Sequence, residues 1–115
     1  MAKKRIPDAA GLAALKDSTN QAPMAVRYLL QLLETNHPGG TIELRVPPIG
    51  AIQLIGGLNH RRGTPPNVVE LSPEDFLALA LGEKDWDQLG QAGRLVASGA
   101  RAGELRKLFP IPLVE

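Results

Sequence analysis

Across His37-Pro38-Gly39-Gly40 the spacing of apolar residues changes from the period of a helix to the period of a strand. Before that point Val26, Leu29, Leu30 and Leu33 fall at i, i+3, i+4 and i+7, with Arg27, Gln31 and Glu34 on the other side. This spacing predicts an amphipathic helix over 22–35. After it, Ile42, Leu44 and Val46 alternate with Thr41, Glu43 and Arg45, which predicts a strand with one face in the core and one in water. Pro38 keeps the residue before it out of helical geometry, and the glycines permit the turn. Pro47-Pro48 cannot donate to a ladder, so the strand stops there; Ile49–Ile55 supplies a second strand, expected to pair with the first as a hairpin.

The remaining segments extend this plan. Pro7–Lys16 reads as a short helix stopped by Asp17-Ser18-Thr19-Asn20, and Gly56–Pro66 as a loop leading into a third strand, Asn67–Leu71. Ser72-Pro73-Glu74-Asp75 starts a helix: a serine cap, proline in the first turn, and acids where the backbone dipole favours them. Phe76, Leu77, Ala80 and Leu81 follow on one face, and Gly82 ends it. Asp85 and Gln88 have the spacing of a capping box for a second brief helix. Gly93–Gly99 reads as extended, and Ala100–Phe109 as a last helix with Leu105, Leu108 and Phe109 on one side, ended by Pro110 and Pro112. The expectation is one domain over residues 1–115, with its core in about 22–109 and flexible ends at 1–6 and 111–115.

Composition narrows function by exclusion. Thirteen Lys and Arg against twelve Asp and Glu leave a net charge of +1, without the basic excess of a general nucleic-acid binder. One Trp, one Tyr and two Phe are too few for a base-stacking platform. With no cysteine there is no thiol nucleophile, disulfide or thiolate zinc site, which agrees with a reducing compartment. The longest apolar runs, such as Phe76–Leu81, are too short to cross a bilayer. The basic cluster Lys3-Lys4-Arg5 is not followed by a secretory apolar stretch, so a cytoplasmic chain is expected.

Catalytic patterns are also missing. His37 and His60 stand alone in loops, the acids Glu74, Asp75, Asp85 and Asp87 sit where helix caps want them, and Ser98 lacks a nucleophile elbow. The glycine pairs match no phosphate-binding fingerprint. We therefore expect no catalytic residue, metal or cofactor, and no enzymatic activity. Among the basic residues, Arg61-Arg62 is the pair least explained as ordinary solvated surface.

Three segments carry a family resemblance: Arg62-Gly63-Thr64-Pro65-Pro66-Asn67-Val68-Val69-Glu70, the run from Ser72 to Gly82, and Trp86 to Gly93 with Leu95-Val96-Ala97-Ser98-Gly99. Together they resemble the bacterial branch of the sterol carrier protein 2 superfamily, of actinobacterial type, over about residues 22–109. The resemblance implies an α/β (α+β) fold: a curved, mostly antiparallel sheet of about five strands with helices packed on one face. It also implies an apolar tunnel holding a fatty acyl or sterol-like ligand, without catalysis. Inward residues that would line such a tunnel are Leu44, Leu54 and Val69 of the sheet, Leu30 and Leu33 of the long helix, Phe76 and Leu79 of the capped helix, and Leu105, Leu108 and Phe109. Arg61, Arg62 or Arg101 would meet an anionic head group. On this view Leu79→Glu abolishes lipid uptake without unfolding the chain, and the last helix with Ile111, Leu113 and Val114 is the gate. Two other readings stay open: an interaction module without a cavity, and a subunit related to the C-terminal domain of mycothiol-dependent maleylpyruvate isomerases. Strand edges at Asn67–Leu71 or Ile49–Ile55 leave monomer, homodimer and a separate protein partner open.

Overall fold

The computed structural model describes residues 5–56 and 65–113. Helices α1 (Asp8–Lys16) and α2 (Ala22–Asn36) precede the hairpin β1 (Pro38–Val46) and β2 (Gly50–Leu54). Then come β3 (Asn67–Leu71), α3 (Pro73–Ala80), α4 (Trp86–Gln91), β4 (Leu95–Ser98) and a 3-10 helix, Ala102–Leu108. The strands form one mixed sheet in the order β2-β1-β3-β4. β1 pairs antiparallel with β2 and parallel with β3, and β3 pairs antiparallel with β4.

Among the described residues the sheet has four strands, the number the sequence patterns supply, where the family resemblance implied about five. Because β3 pairs on both sides, Asn67–Leu71 is not an edge; the edges are β2 and β4. β1 begins at Pro38, earlier than the alternation suggests, through a bulge in which Pro38 and Ile42 both face Leu54. Gly39 makes this possible: at φ +156° it lies against the Ile55 carbonyl, and a Cβ there would collide with it. Ile55 N–H donates to His37 O at 2.9 Å and closes the base of the hairpin.

Alternation along the strands produces one dry face. Ile42, Leu44, Val46, Leu54 and Val69 are fully buried beneath Val26, Leu29 and Leu33 of α2 and Phe76 of α3. The opposite face carries Glu43, Arg45, Gln53 and Glu70, with Arg45 Nε 2.6 Å from Glu43 and its Nη1 4.0 Å from Glu70. Val96 on β4 is 60% exposed.

The helix starts follow their local chemistry. Ser72 Oγ accepts from Asp75 N–H at 3.2 Å, and Asp85 and Gln88 form the reciprocal capping box. Asp75 is also a structural anchor: it is buried, and Arg94 Nε donates to its two oxygens at 3.0 and 2.9 Å, tying α3 to the start of β4. The Asp75 carboxylate raises the Arg94 pKa, so this guanidinium stays charged. Buried Asn67 donates to Thr41 O at 3.0 Å and accepts from Arg101 N–H at 2.9 Å, clamping β1, β3 and the C-terminal segment together.

The last helix, expected over Ala100–Phe109, is a 3-10 helix over Ala102–Leu108. The reason lies in its apolar spacing: Ala102, Leu105 and Leu108 recur every third residue, which lines up on a helix of three residues per turn. Ala102 and Leu105 are buried, and Leu108 packs against the same core. Arg5 and Ile6 hydrogen-bond to α2, and Ile111, 7% exposed, docks through its N–H on Ala80 O at 2.9 Å.

Candidate functional site

α2 is a two-sided element. Its main apolar stripe enters the core, and a neighbouring stripe, Met24, Arg27, Gln31 and Glu34, recurs every three or four residues beside it. α1 lies alongside this helix. Gly11 of α1 sits so close to the Tyr28 ring of α2 that a Cβ would collide with it, so only glycine lets the two helices approach here. Tyr28 Oη donates to Asp8 Oδ1 at 2.8 Å. Burial and the Asp8 carboxylate, opposed by Arg5, push the Tyr28 phenol above its usual pKa, so it remains a donor at neutral pH.

Ahead of α1 the chain runs on along α2. Ile6 N–H donates to Gln31 Oε1 at 2.8 Å and Gln31 Nε2 donates back to Ile6 O at 2.9 Å. Arg5 Nη1 donates to Thr35 Oγ1 at 3.3 Å. This N-terminal stretch, the outer stripe of α2 and the first half of β2 enclose a cleft of about 980 Å³. That volume is at the upper end of small-molecule sites. Its walls are Arg5, Ile6, Pro7 and Ala10; Met24, Arg27, Leu30, Gln31, Glu34 and Thr35; and Ile49, Gly50, Ala51 and Ile52. Leu30 and Gly50 approach across the floor, where a Cβ on Gly50 would sit 3.5 Å from Leu30 Cδ1. Arg27 is exposed on α2 and makes no hydrogen bond or ion pair with another described residue.

The expected tunnel residues occupy a different place. Leu33, Leu44, Leu54, Val69, Phe76, Leu79 and Leu105 are 3% exposed or less and pack into one cluster between helices and sheet. Leu108 and Phe109 pack against its margin, with Phe109 edge-on to Phe76 at 6.2 Å between ring centroids. Of the ten, Leu30 alone borders the cleft. Leu79→Glu would put a carboxylate inside this cluster, so it perturbs folding before it tests a lining. Arg101 is held by Glu104 at 2.7 and 3.1 Å and follows β4, at the opposite sheet edge from the cleft. Arg61 and Arg62 lie outside the described residues. Ile111 is docked in the core and takes no part in the cleft walls.

Sequence reasoning missed Arg5, Ile6, Pro7, Ala10, Met24, Arg27, Gln31, Glu34, Thr35, Ile49, Gly50, Ala51 and Ile52 as a group. The available signal was the mixed second stripe of the long helix, and Gly11 within a short helix, where glycine is costly unless something must come close. Among the described residues there is no cluster of three or more His, Asp or Glu able to hold a metal, and no helix long and apolar enough to cross a membrane.

The sequence profile of a family described as bacterial SCP ortholog matches residues 18–111 of the chain. No curated protein matches it.

Proposed function

The chain belongs to the bacterial SCP ortholog family, and from that premise we propose that it is a non-catalytic, cytoplasmic carrier of a hydrophobic small molecule, fatty acyl or sterol-like, held between α2 and β2. One observation carries the reading: a cleft of about 980 Å³ lies outside the filled core, with Ile6, Met24, Leu30, Ile49 and Ile52 among its walls. Each methylene moved from water onto such walls contributes about 0.8 kcal/mol, so an alkyl chain is held by burial alone. Gln31, Glu34, Thr35 and the two arginines form the polar border, and Arg27 is the side chain placed to meet a carboxylate or phosphate head. Leu30 serves both core and cleft. The other core leucines, with Val69 and Phe76, hold the walls in shape.

Native mass spectrometry of the purified chain after exposure to a whole-lipid extract tests this. The expected result is an adduct of defined mass on the folded protein. A folded chain without adduct across lipid classes would overturn the carrier reading in favour of a protein-binding module.

A further inference from the structure

One wall of the cleft is attached differently from the other two. α2 and β2 place Val26, Leu29, Leu33, Ile52 and Leu54 in the core, so neither moves without opening the domain. α1 buries only Gly11 and Ala14, and it lies before residue 18, where the family match begins. Beyond Gly11 against the Tyr28 ring and the Ala14–Leu15 end, the N-terminal stretch and α1 are held by hydrogen bonds: Tyr28 to Asp8, Ile6 with Gln31 in both directions, and Arg5 to Thr35. Hydrogen bonds exchange for water at small net cost, whereas buried apolar area does not, so such a segment opens locally while the core stays closed. The anchoring is also uneven along the segment. Ala14 is fully buried and Leu15 packs on the core at one end, while the lining residues Arg5, Ile6, Pro7 and Ala10 are at the other.

We propose that Arg5–Lys16 is a hinged strap that gates the cleft, swinging from its Ala14–Leu15 end and latched by the Tyr28–Asp8 hydrogen bond. This rests on the reading that the cleft holds the ligand. The turn after α1 holds the anchored end in place: Gln21 N–H and Asn20 N–H both donate to Asp17 O, and Asn20 Nδ2 donates to Asp17 Oδ1. The gate is thus placed at the N-terminal side of the domain, while Ile111 of the C-terminal segment packs in the core. Tyr28 and Asp8 are not cleft-lining residues, so substituting Tyr28 releases the latch without removing a lining side chain.

The test compares wild type with Tyr28→Phe, which keeps the buried ring and removes the donor. Amide hydrogen exchange over residues 8–14 reports strap opening, and stopped-flow release of bound anilinonaphthalene sulfonate reports gating. A lost bond to a carboxylate should raise both rates about tenfold. Gly11→Val, which drives a side chain into the Tyr28 ring, should raise them further. Unchanged exchange in both variants would overturn the latch. Faster exchange with unchanged release would overturn the gate while leaving the cleft reading intact. Failure of the wild-type protein to bind the probe would overturn the cleft reading and the gate with it.

Discussion

Shortening Leu33 and shortening Met24 should have opposite signatures, because the first side chain belongs to the core and the second to the cleft. Leu33 is 2% exposed in the cluster between α2 and the sheet, so Leu33→Ala removes packed methyl groups and leaves a cavity, at about 2–5 kcal/mol of stability. Met24 is partly exposed, three residues before Arg27 on the outer stripe of α2, and its end faces the cleft. Met24→Ala should cost under about 1 kcal/mol of stability. It also removes apolar surface available to a ligand, worth about 1–2 kcal/mol, which is a five- to thirtyfold weaker Kd. Urea unfolding followed through Trp86, the one tryptophan, measures the first quantity, and titration with anilinonaphthalene sulfonate under folded conditions measures the second. Leu33→Ala should unfold early and bind normally while folded; Met24→Ala should unfold normally and bind weakly. The reverse pattern, with Leu33→Ala weakening binding and Met24→Ala silent, would put the ligand inside the core and refute the cleft.

Two further outcomes follow from buried polar groups. Asn67→Ala strips Thr41 O and Arg101 N–H of their partner together, so about 2–4 kcal/mol of stability should be lost in urea unfolding, and a loss below about 1 kcal/mol would show that the side chain is not the clamp described. The Tyr28 phenol, raised above 10.0 by burial and Asp8 against the opposing charge of Arg5, stabilises the docked strap fully below pH 10. That contribution is lost as pH rises through the raised pKa, so the protection of the 8–14 amides, with the base-catalysed intrinsic rate divided out, should fall there in wild type and not in Tyr28→Phe.

What could be read from the sequence was what has a local cause. The end of the long helix before His37–Gly40, the Pro47-Pro48 break, the Ser72 cap and the Asp85–Gln88 box each act within a few residues, and each stands where expected, while β1 starts earlier, at Pro38. The parallel pairing of β1 with β3 has no local signature, since it depends on where the chain returns after β2. The 3-10 form of Ala102–Leu108 was written in the three-residue spacing of its apolar positions, which also suits a short α-helix when read loosely. The inward leucines were identified as inward correctly, yet inward residues fill a core before they line a void, and periodicity does not distinguish the two. The cleft was less legible because its walls come from segments 5–10, 24–35 and 49–52, brought together by Gly11 against Tyr28 and by side-chain hydrogen bonds over 20 and 25 residues of chain.

The most direct test of the central claim is a crystal structure of the chain with the lipid captured from extract. Ligand density should run between the outer stripe of α2 and Ile49–Ile52, with its head near Arg27 and the core unchanged. Density threaded among Leu33, Leu44 and Leu105, with the α2–β2 cleft empty, would contradict the account.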